Sequence, residues 1–146
     1  MNQVTRQTNI LLIEEDLMVR QALGQALAVE NYRVVAARNQ EEALRQFSNQ
    51  PFDQPIDLVL LDLNPRNEDA WETVEQLTAL QPDLPVVAMT GRLETQDSSS
   101  AAPVFDALMA KPLNLVQLMR TLSDLTTQPS SQRRSCRSVL RAAHRN

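Results

Sequence analysis

Polar side chains suited to phosphate or metal chemistry stand at the ends of several short apolar segments of this 146-residue chain. Close carboxylates repel one another, and a bound cation relieves that repulsion. Carboxylate oxygens suit Mg²⁺, which keeps several waters and uses few protein ligands. The set comprises three carboxylates, one hydroxyl and one amine: Glu14, Glu15, Asp62, Thr90 and Lys111.

Asp62 is the candidate nucleophile of this set. An aspartate can attack phosphorus and form an acyl phosphate. Mg²⁺ and Lys111 would neutralise the transferred phosphoryl group, and Thr90 could donate a hydrogen bond to one of its oxygens. Each residue also has a plainer interpretation, since Asp62 could cap a loop, Thr90 could cap a helix and Lys111 could be a surface lysine. Together the three residues favour the phosphoacceptor interpretation.

Composition excludes most other chemistry. The single histidine, His144, and the single cysteine, Cys136, both lie near the C-terminus, so no His-based zinc site, Ser-His-Asp triad or Cys-His pair can form in the preceding chain. No apolar run reaches the roughly 18 residues of a membrane helix, and the N-terminus lacks a signal-peptide core. We expect a cytoplasmic globular protein with no membrane association, which the lone cysteine also suits.

Charge divides the chain into an acidic body and a basic tail. All 18 acidic residues lie at or before Asp124, and residues 1–128 carry only 9 of the 14 basic ones. The acidic body predicts no direct nucleic-acid binding by the body itself. Residues 1–8 and 127–146 are predicted to be disordered. The basic tail could bind nucleic acid or an acidic partner, or could be a linker without a function of its own.

Short apolar segments alternate with stretches of helical periodicity. We predict strands at 10–13, 33–37, 56–61, 86–89 and 107–110, with a helix at 17–30 and a second helix that Asn39 and Glu42 begin as a capping box. The Ser-rich stretch 96–103 predicts at most a weak helix. This alternation predicts an α/β fold: a doubly wound, five-stranded parallel sheet of order 2-1-3-4-5, flavodoxin-like. The candidate residues would then converge at the carboxyl edge of the sheet.

Four segments of the chain carry a family resemblance. ILLIEED resembles the first-strand acidic motif of bacterial receiver domains, and DLVLLDLN resembles their phosphoacceptor strand. VVAMTG resembles the strand that ends in the switch threonine, and MAKPL resembles the lysine-proline motif. In this order the motifs cover residues 9–125, and they predict a response-regulator receiver domain over 9–126.

The resemblance implies a signalling phosphoprotein rather than an enzyme with a separate substrate. Asp62 would accept a phosphoryl group from a sensor histidine kinase or a phosphotransfer protein, and Thr90 and Lys111 would bind that group. A downstream protein or a separate output domain would read the signal. The resemblance is also compatible with a homodimer. Lys111-Pro112 would be cis. Mg²⁺ would be held by Glu14, Glu15, Asp62 and the backbone carbonyl of Asn64.

Two departures from the family pattern keep alternatives open. Glu15 stands where the family usually has aspartate, and Leu108 stands where it usually has a tyrosine or phenylalanine that reports phosphorylation. These departures motivate a second hypothesis, a pseudo-receiver that binds partners independently of phosphorylation. They also motivate the idea that phosphorylation changes the order of residues 91–104. A flavodoxin-like enzyme or nucleotide binder is disfavoured, because the loop after the first strand lacks glycine.

Overall fold

The computed structural model describes residues 7–63, 69–91 and 105–127. Asn64, most of the 91–104 segment and the basic tail lie outside these ranges. Within them, no helix has the length and apolarity needed to cross a membrane. The elements in chain order are β1 (Asn9–Ile13), α1 (Leu17–Val29), β2 (Arg33–Ala37), α2 (Gln40–Ser48), β3 (Leu58–Leu63), α3 (Asp69–Leu80), β4 (Val86–Thr90), β5 (Ala107–Ala110) and α4 (Leu115–Thr127).

The five strands form one parallel sheet in the order β2-β1-β3-β4-β5, which confirms the predicted fold. The strand β3 lies at the centre, with Leu61 opposite Ile13 of β1 and Asp62 opposite Met89 of β4. It begins and ends two residues later than the sequence predicted. Asp62 therefore lies inside the ladder between β3 and β4 rather than in the loop after β3, so its backbone is held by β4.

Successive strand residues pack into two separate apolar cores, one on each face of the sheet. Leu11 and Ile13 of β1 join the core beneath α2 and α3, whereas Ile10 and Leu12 join the core beneath α1 and α4. Side chains alternate between faces along a strand, so a parallel strand covered on both sides must be apolar throughout. This requirement explains the continuous apolar runs in the sequence.

Side-chain caps fix where two of the helices begin. Asp16 accepts hydrogen bonds from the backbone N–H groups of Met18 and Val19 and starts α1. Asn39 accepts a bond from the N–H of Glu42 at 2.9 Å, which confirms Asn39 as the cap of α2. The return bond of the capping box is displaced by one residue, because the Glu42 carboxylate accepts from the N–H of Arg38 at 2.7 Å.

Candidate functional site

Three candidate residues lie on the same face of the sheet, at its carboxyl edge. Asp62 continues the alternation of Leu58 and Leu60, two residues of the core beneath α1 and α4. Glu14 comes directly after β1, whose last residue lies opposite Leu61, and Lys111 comes directly after β5. Parallel strands that end at one level therefore bring these three side chains together.

Lys111 bridges the two acids of this cluster. Its Nζ lies 2.6 Å from Oδ1 of Asp62 and 3.7 Å from Oε1 of Glu14. Glu14 is 2% exposed and Asp62 is 7% exposed, whereas the Lys111 side chain retains 31% exposure. Two nearly buried carboxylates therefore share one partly exposed ammonium, which leaves the pair with more negative than positive charge.

The pKa values of Glu14 and Lys111 both follow from this arrangement. Burial raises the pKa of the Glu14 carboxyl, and the nearby charge of Asp62 raises it further, against the opposing hydrogen bond from the Asp16 N–H. Burial lowers the pKa of Lys111, but its hydrogen bond to Asp62 and the charges of both acids outweigh that effect and raise the pKa. The lysine is held in its charged form, and ionisation of Glu14 is made more costly by its burial.

The Glu14 carboxylate has one satisfied oxygen and one unsatisfied oxygen. Its Oε2 accepts a 3.2 Å bond from the N–H of Asp16. Its Oε1 is fully buried and makes no hydrogen bond to any described residue. Its ion-pair contact with Lys111 Nζ is 3.7 Å, longer than a hydrogen bond, and a cation ligand is one way to satisfy such a buried oxygen. The donor set fits Mg²⁺, which commonly takes one or two carboxylates and completes its shell with water.

The acidic pair predicted from the sequence is split by the fold. Glu14 is buried, whereas the side chain of Glu15 is exposed to solvent. Over residues 7–63, 69–91 and 105–127, no three acidic, histidine or cysteine side chains lie close enough together to hold a metal ion. Glu14 and Asp62 are the two predicted ligands that the structure brings together, and the position of Asn64 is not described.

Thr90 lies at the end of β4 beside the site, and Leu108 lies on the neighbouring strand β5 opposite Ala88. Thr90 ends β4, is half-buried, and its carbonyl accepts the backbone N–H of Lys111 at 2.8 Å. Next to it, a Cβ added to Gly91 would meet no described atom within 4 Å, so space is open there. Leu108 lies on β5 with 38% of its surface exposed. The Lys111-Pro112 peptide bond is cis, as the resemblance implied.

Two residues near the site were not singled out by the sequence. Asp16 caps α1 and donates its own N–H to Glu14, so it is part of the loop rather than a third free acid. Arg20 donates from one guanidinium nitrogen to the carbonyls of Glu14 at 2.9 Å and Glu15 at 3.3 Å. The available signal was that Arg20 is the only basic residue of the predicted helix 17–30.

A doubly wound sheet of this order, with two buried acids and a lysine at its carboxyl edge, is the arrangement that the resemblance to receiver domains predicts. The family described as the response regulator receiver domain matches residues 10–123. The chain belongs to this family, a family of two-component signalling proteins.

Curated relatives are longer than the matched region. Response regulator RR06 of Streptococcus pneumoniae is 28% identical over 121 residues, which cover 80% of this chain and 52% of the relative. The transcriptional regulatory protein ZraR of Klebsiella oxytoca is 31% identical over 120 residues, which cover 81% of this chain and 26% of the relative. The chain thus spans about half or a quarter of the length of these relatives.

Solved structures agree with the fold. The response regulator protein TrrA of Thermotoga maritima, in complex with Mg²⁺-BeF, has a TM-score of 0.68 at 25% identity, covering 82% of this chain and 99% of that one. A two-component response regulator from Clostridium difficile has a TM-score of 0.70 at 27% identity, covering 82% of this chain and 95% of that one.

Proposed function

We propose that this chain is a phosphoacceptor receiver whose Asp62 takes up a phosphoryl group. The observation that carries the proposal is the 2.6 Å contact between Lys111 Nζ and Oδ1 of Asp62 at the carboxyl edge of the central strand. The contact places an ammonium group beside the atom that would attack phosphorus. Asp62 lies in the sheet ladder opposite Met89 of β4, so its carboxylate presents a fixed target.

In the proposed reaction a carboxylate oxygen of Asp62 attacks the phosphorus atom of a phosphohistidine. The new O–P bond forms an acyl phosphate as the P–N bond breaks, and the imidazole nitrogen leaves with the electron pair and takes up a proton. Lys111 moves its hydrogen bond from Asp62 to an oxygen of the incoming group and offsets its charge. Attack by water on phosphorus later restores the carboxylate and releases inorganic phosphate.

Glu14 and Asp62 would hold Mg²⁺, with Glu15 and the backbone carbonyl of Asn64 as the further ligands that the family pattern implies. When bound, Mg²⁺ would neutralise part of the negative charge on the phosphoryl oxygens. The buried Oε1 of Glu14 supports this role, because it accepts no hydrogen bond from a described residue and its ion-pair contact with Lys111 is 3.7 Å long. Thr90 would donate its hydroxyl to a phosphoryl oxygen from the end of β4.

The proposed phosphodonor is a sensor histidine kinase or a phosphotransfer protein. A downstream protein partner or an output domain would read the phosphorylated state. The support is that the matched relatives carry names of response regulators and transcriptional regulatory proteins and extend beyond the matched region.

Phosphorylation by a small donor tests the proposal. Purified protein is treated with acetyl phosphate and Mg²⁺, and intact mass is measured at intervals. Wild type should gain the mass of one phosphoryl group, and Asp62→Asn should gain none. Asp57→Asn is the matched control, because Asp57 precedes the same strand but bonds to Asn9 at the opposite edge of the sheet. Labelling of Asp62→Asn equal to that of wild type would overturn the proposal.

The second candidate function is a pseudo-receiver, a phosphorylation-independent interaction module. The exposed side chain of Glu15 favours it, since only two described carboxylates then converge on the site. Thermal unfolding with and without Mg²⁺ separates the two functions. A true receiver should gain about 1.4 kcal/mol when Mg²⁺ is ten times its Kd, and Glu14→Gln should lose most of that gain. A pseudo-receiver that binds no metal should gain nothing.

A further inference from the structure

The loop between β1 and α1 carries both predicted acidic ligands, and few contacts from outside the loop hold it. The N–H of Glu14 donates to the carbonyl of Ala37 at 3.0 Å, which ties the start of the loop to β2. The bonds made by Asp16 to Glu14 and to the first turn of α1 are local. Among the described residues, the other contacts from outside the loop are the 3.7 Å approach of Lys111 Nζ to the Glu14 carboxylate and the guanidinium of Arg20. The guanidinium reaches back from α1 to the loop backbone.

One nitrogen of Arg20 binds two successive peptide groups of this loop. It donates to the Glu14 carbonyl at 2.9 Å and to the Glu15 carbonyl at 3.3 Å. Holding two adjacent carbonyls towards one donor restricts the backbone torsions between them. The backbone torsions set the direction of each side chain. The Glu14 side chain points into the site and is 2% exposed, whereas the Glu15 side chain is exposed to solvent.

The position of Arg20 is unfavourable for helix stability alone. The first turn of a helix favours acidic side chains, because the helix dipole is positive at that end, by about 0.3–1 kcal/mol for each charge. Arg20 is the only charge in α1, and the N-cap Asp16 uses its carboxylate to accept the N–H groups of Met18 and Val19. The favourable interaction of its guanidinium is therefore with the loop carbonyls rather than with the helix.

We propose that Arg20 is a positioning residue for the cation site: it orders the Glu14–Glu15 peptides so that the carboxylate of Glu14 is presented to Mg²⁺. The proposal rests on the proposed function, because it assigns Arg20 a role at the same site. Arg20 itself donates only to backbone carbonyls and touches neither Asp62 nor Lys111 in the described contacts. Its effect reaches the metal through the direction of the loop.

The direction in which Arg20→Met changes Mg²⁺ affinity separates a positioning role from simple electrostatics. Arg20 is a cation near a cation site, so its charge alone repels Mg²⁺, and removing the charge should tighten binding. If Arg20 orders the loop, Arg20→Met should instead weaken Mg²⁺ binding, by about tenfold, as is common for residues that orient metal ligands. Arg20→Lys keeps the charge and a donor and should recover part of the loss.

Two measurements on the full chain test the inference. Mg²⁺ titrations followed by amide chemical shifts give the Kd of wild type, Arg20→Met and Arg20→Lys. Hydrogen exchange of the Asp16 amide, measured without metal, reports the order of the loop and should become faster in Arg20→Met. Arg33→Met is the matched control, because Arg33 also makes a side-chain hydrogen bond, at 3.0 Å to Gln50, but away from the site.

Weaker Mg²⁺ binding and faster Asp16 exchange in Arg20→Met, with neither change in Arg33→Met, would support the positioning role. Equal or tighter Mg²⁺ binding in Arg20→Met would overturn it while leaving the proposed function intact. Absence of Mg²⁺ binding in wild type would overturn both, and wild type alone would reveal that failure. If Arg20→Met unfolds, Arg20→Gln is judged by the same criteria.

Discussion

Lys111 Nζ and Oδ1 of Asp62 are 2.6 Å apart, although the two residues are 49 positions apart in the chain. The parallel sheet creates this contact by ending β3 and β5 at one edge, with β4 between them. A buried carboxylate with such a partner is oriented by the charge-assisted contact. In the proposed reaction Lys111 would also bind the arriving phosphoryl group, so it would have to loosen its contact with Asp62.

Lys111 is the only lysine of the chain, so its reactivity can be measured without interference from other lysines. Its raised pKa leaves little neutral amine to react with an acylating reagent. We predict that Asp62→Asn accelerates acylation of Lys111, on the order of tenfold for each pKa unit lost. Peptide mass mapping separates Lys111 from the N-terminal amine.

Asp57→Asn is the control for this reactivity, because it removes a carboxylate at the opposite edge of the sheet. Its Lys111 should react at the wild-type rate. Equal rates in wild type and Asp62→Asn would mean that the Asp62 contact does not govern the amine in solution.

Glu14 predicts a pH-dependent contribution to stability. Burial raises its pKa above the ordinary value of 4.5, so the folded protein keeps this proton to a higher pH than the unfolded chain does. The contribution of Glu14 to the free energy of unfolding is therefore greatest below about pH 4.5 and falls as pH rises through the raised pKa. Glu14→Gln cannot ionise, so without Mg²⁺ it should gain stability relative to wild type as pH rises.

Urea unfolding of both proteins between about pH 4 and pH 8 measures this difference. Glu15→Gln is the control, because the side chain of Glu15 is exposed. If the free energies of unfolding of Glu14→Gln and wild type differ by the same amount across this pH range, ionisation of Glu14 is not costly in the folded protein.

Gly24 lies within α1, and a Cβ added there would meet no described atom within 4 Å. Alanine loses less backbone freedom than glycine on forming a helix, so Gly24→Ala should stabilise the protein by about 0.5–1 kcal/mol. Chemical denaturation checks the value. Ala28, which is exposed on the same helix, supplies the reverse substitution as a control. Ala28→Gly should lower the free energy of unfolding by a similar amount. Destabilisation by Gly24→Ala would show that the helix surface is more crowded than the structure indicates.

The sequence predicted the sheet order and the meeting of Glu14, Asp62 and Lys111, because apolar runs that end in polar residues mark strand ends. It placed β3 two residues too early, because apolar character begins at Ile56 whereas the sheet ladder begins at Leu58. Asp57 explains the difference, since its carboxylate accepts the N–H of Asn9 and its own N–H donates to the Asn9 carbonyl before the ladder starts.

The different fates of Glu14 and Glu15 were beyond the sequence prediction. Two adjacent glutamates look alike in sequence, and which one enters the site depends on the path of the loop after β1. Arg20 was missed for the same reason, because its partners are backbone carbonyls, which carry no residue-specific signal. The predictions for Asn64 and for the order of residues 91–104 stay predictions.

Direct mapping of the acyl phosphate tests the central claim most closely. Protein treated with acetyl phosphate and Mg²⁺ is reduced with borohydride, which converts a phosphorylated aspartate into homoserine, and is then digested and sequenced by mass spectrometry. The proposed function predicts homoserine at position 62 in wild type, less of it when Mg²⁺ is removed, and none without the phosphodonor. Homoserine at another aspartate, or at no position although the protein is folded and Mg²⁺ is bound, would contradict the claim that Asp62 is the phosphoacceptor.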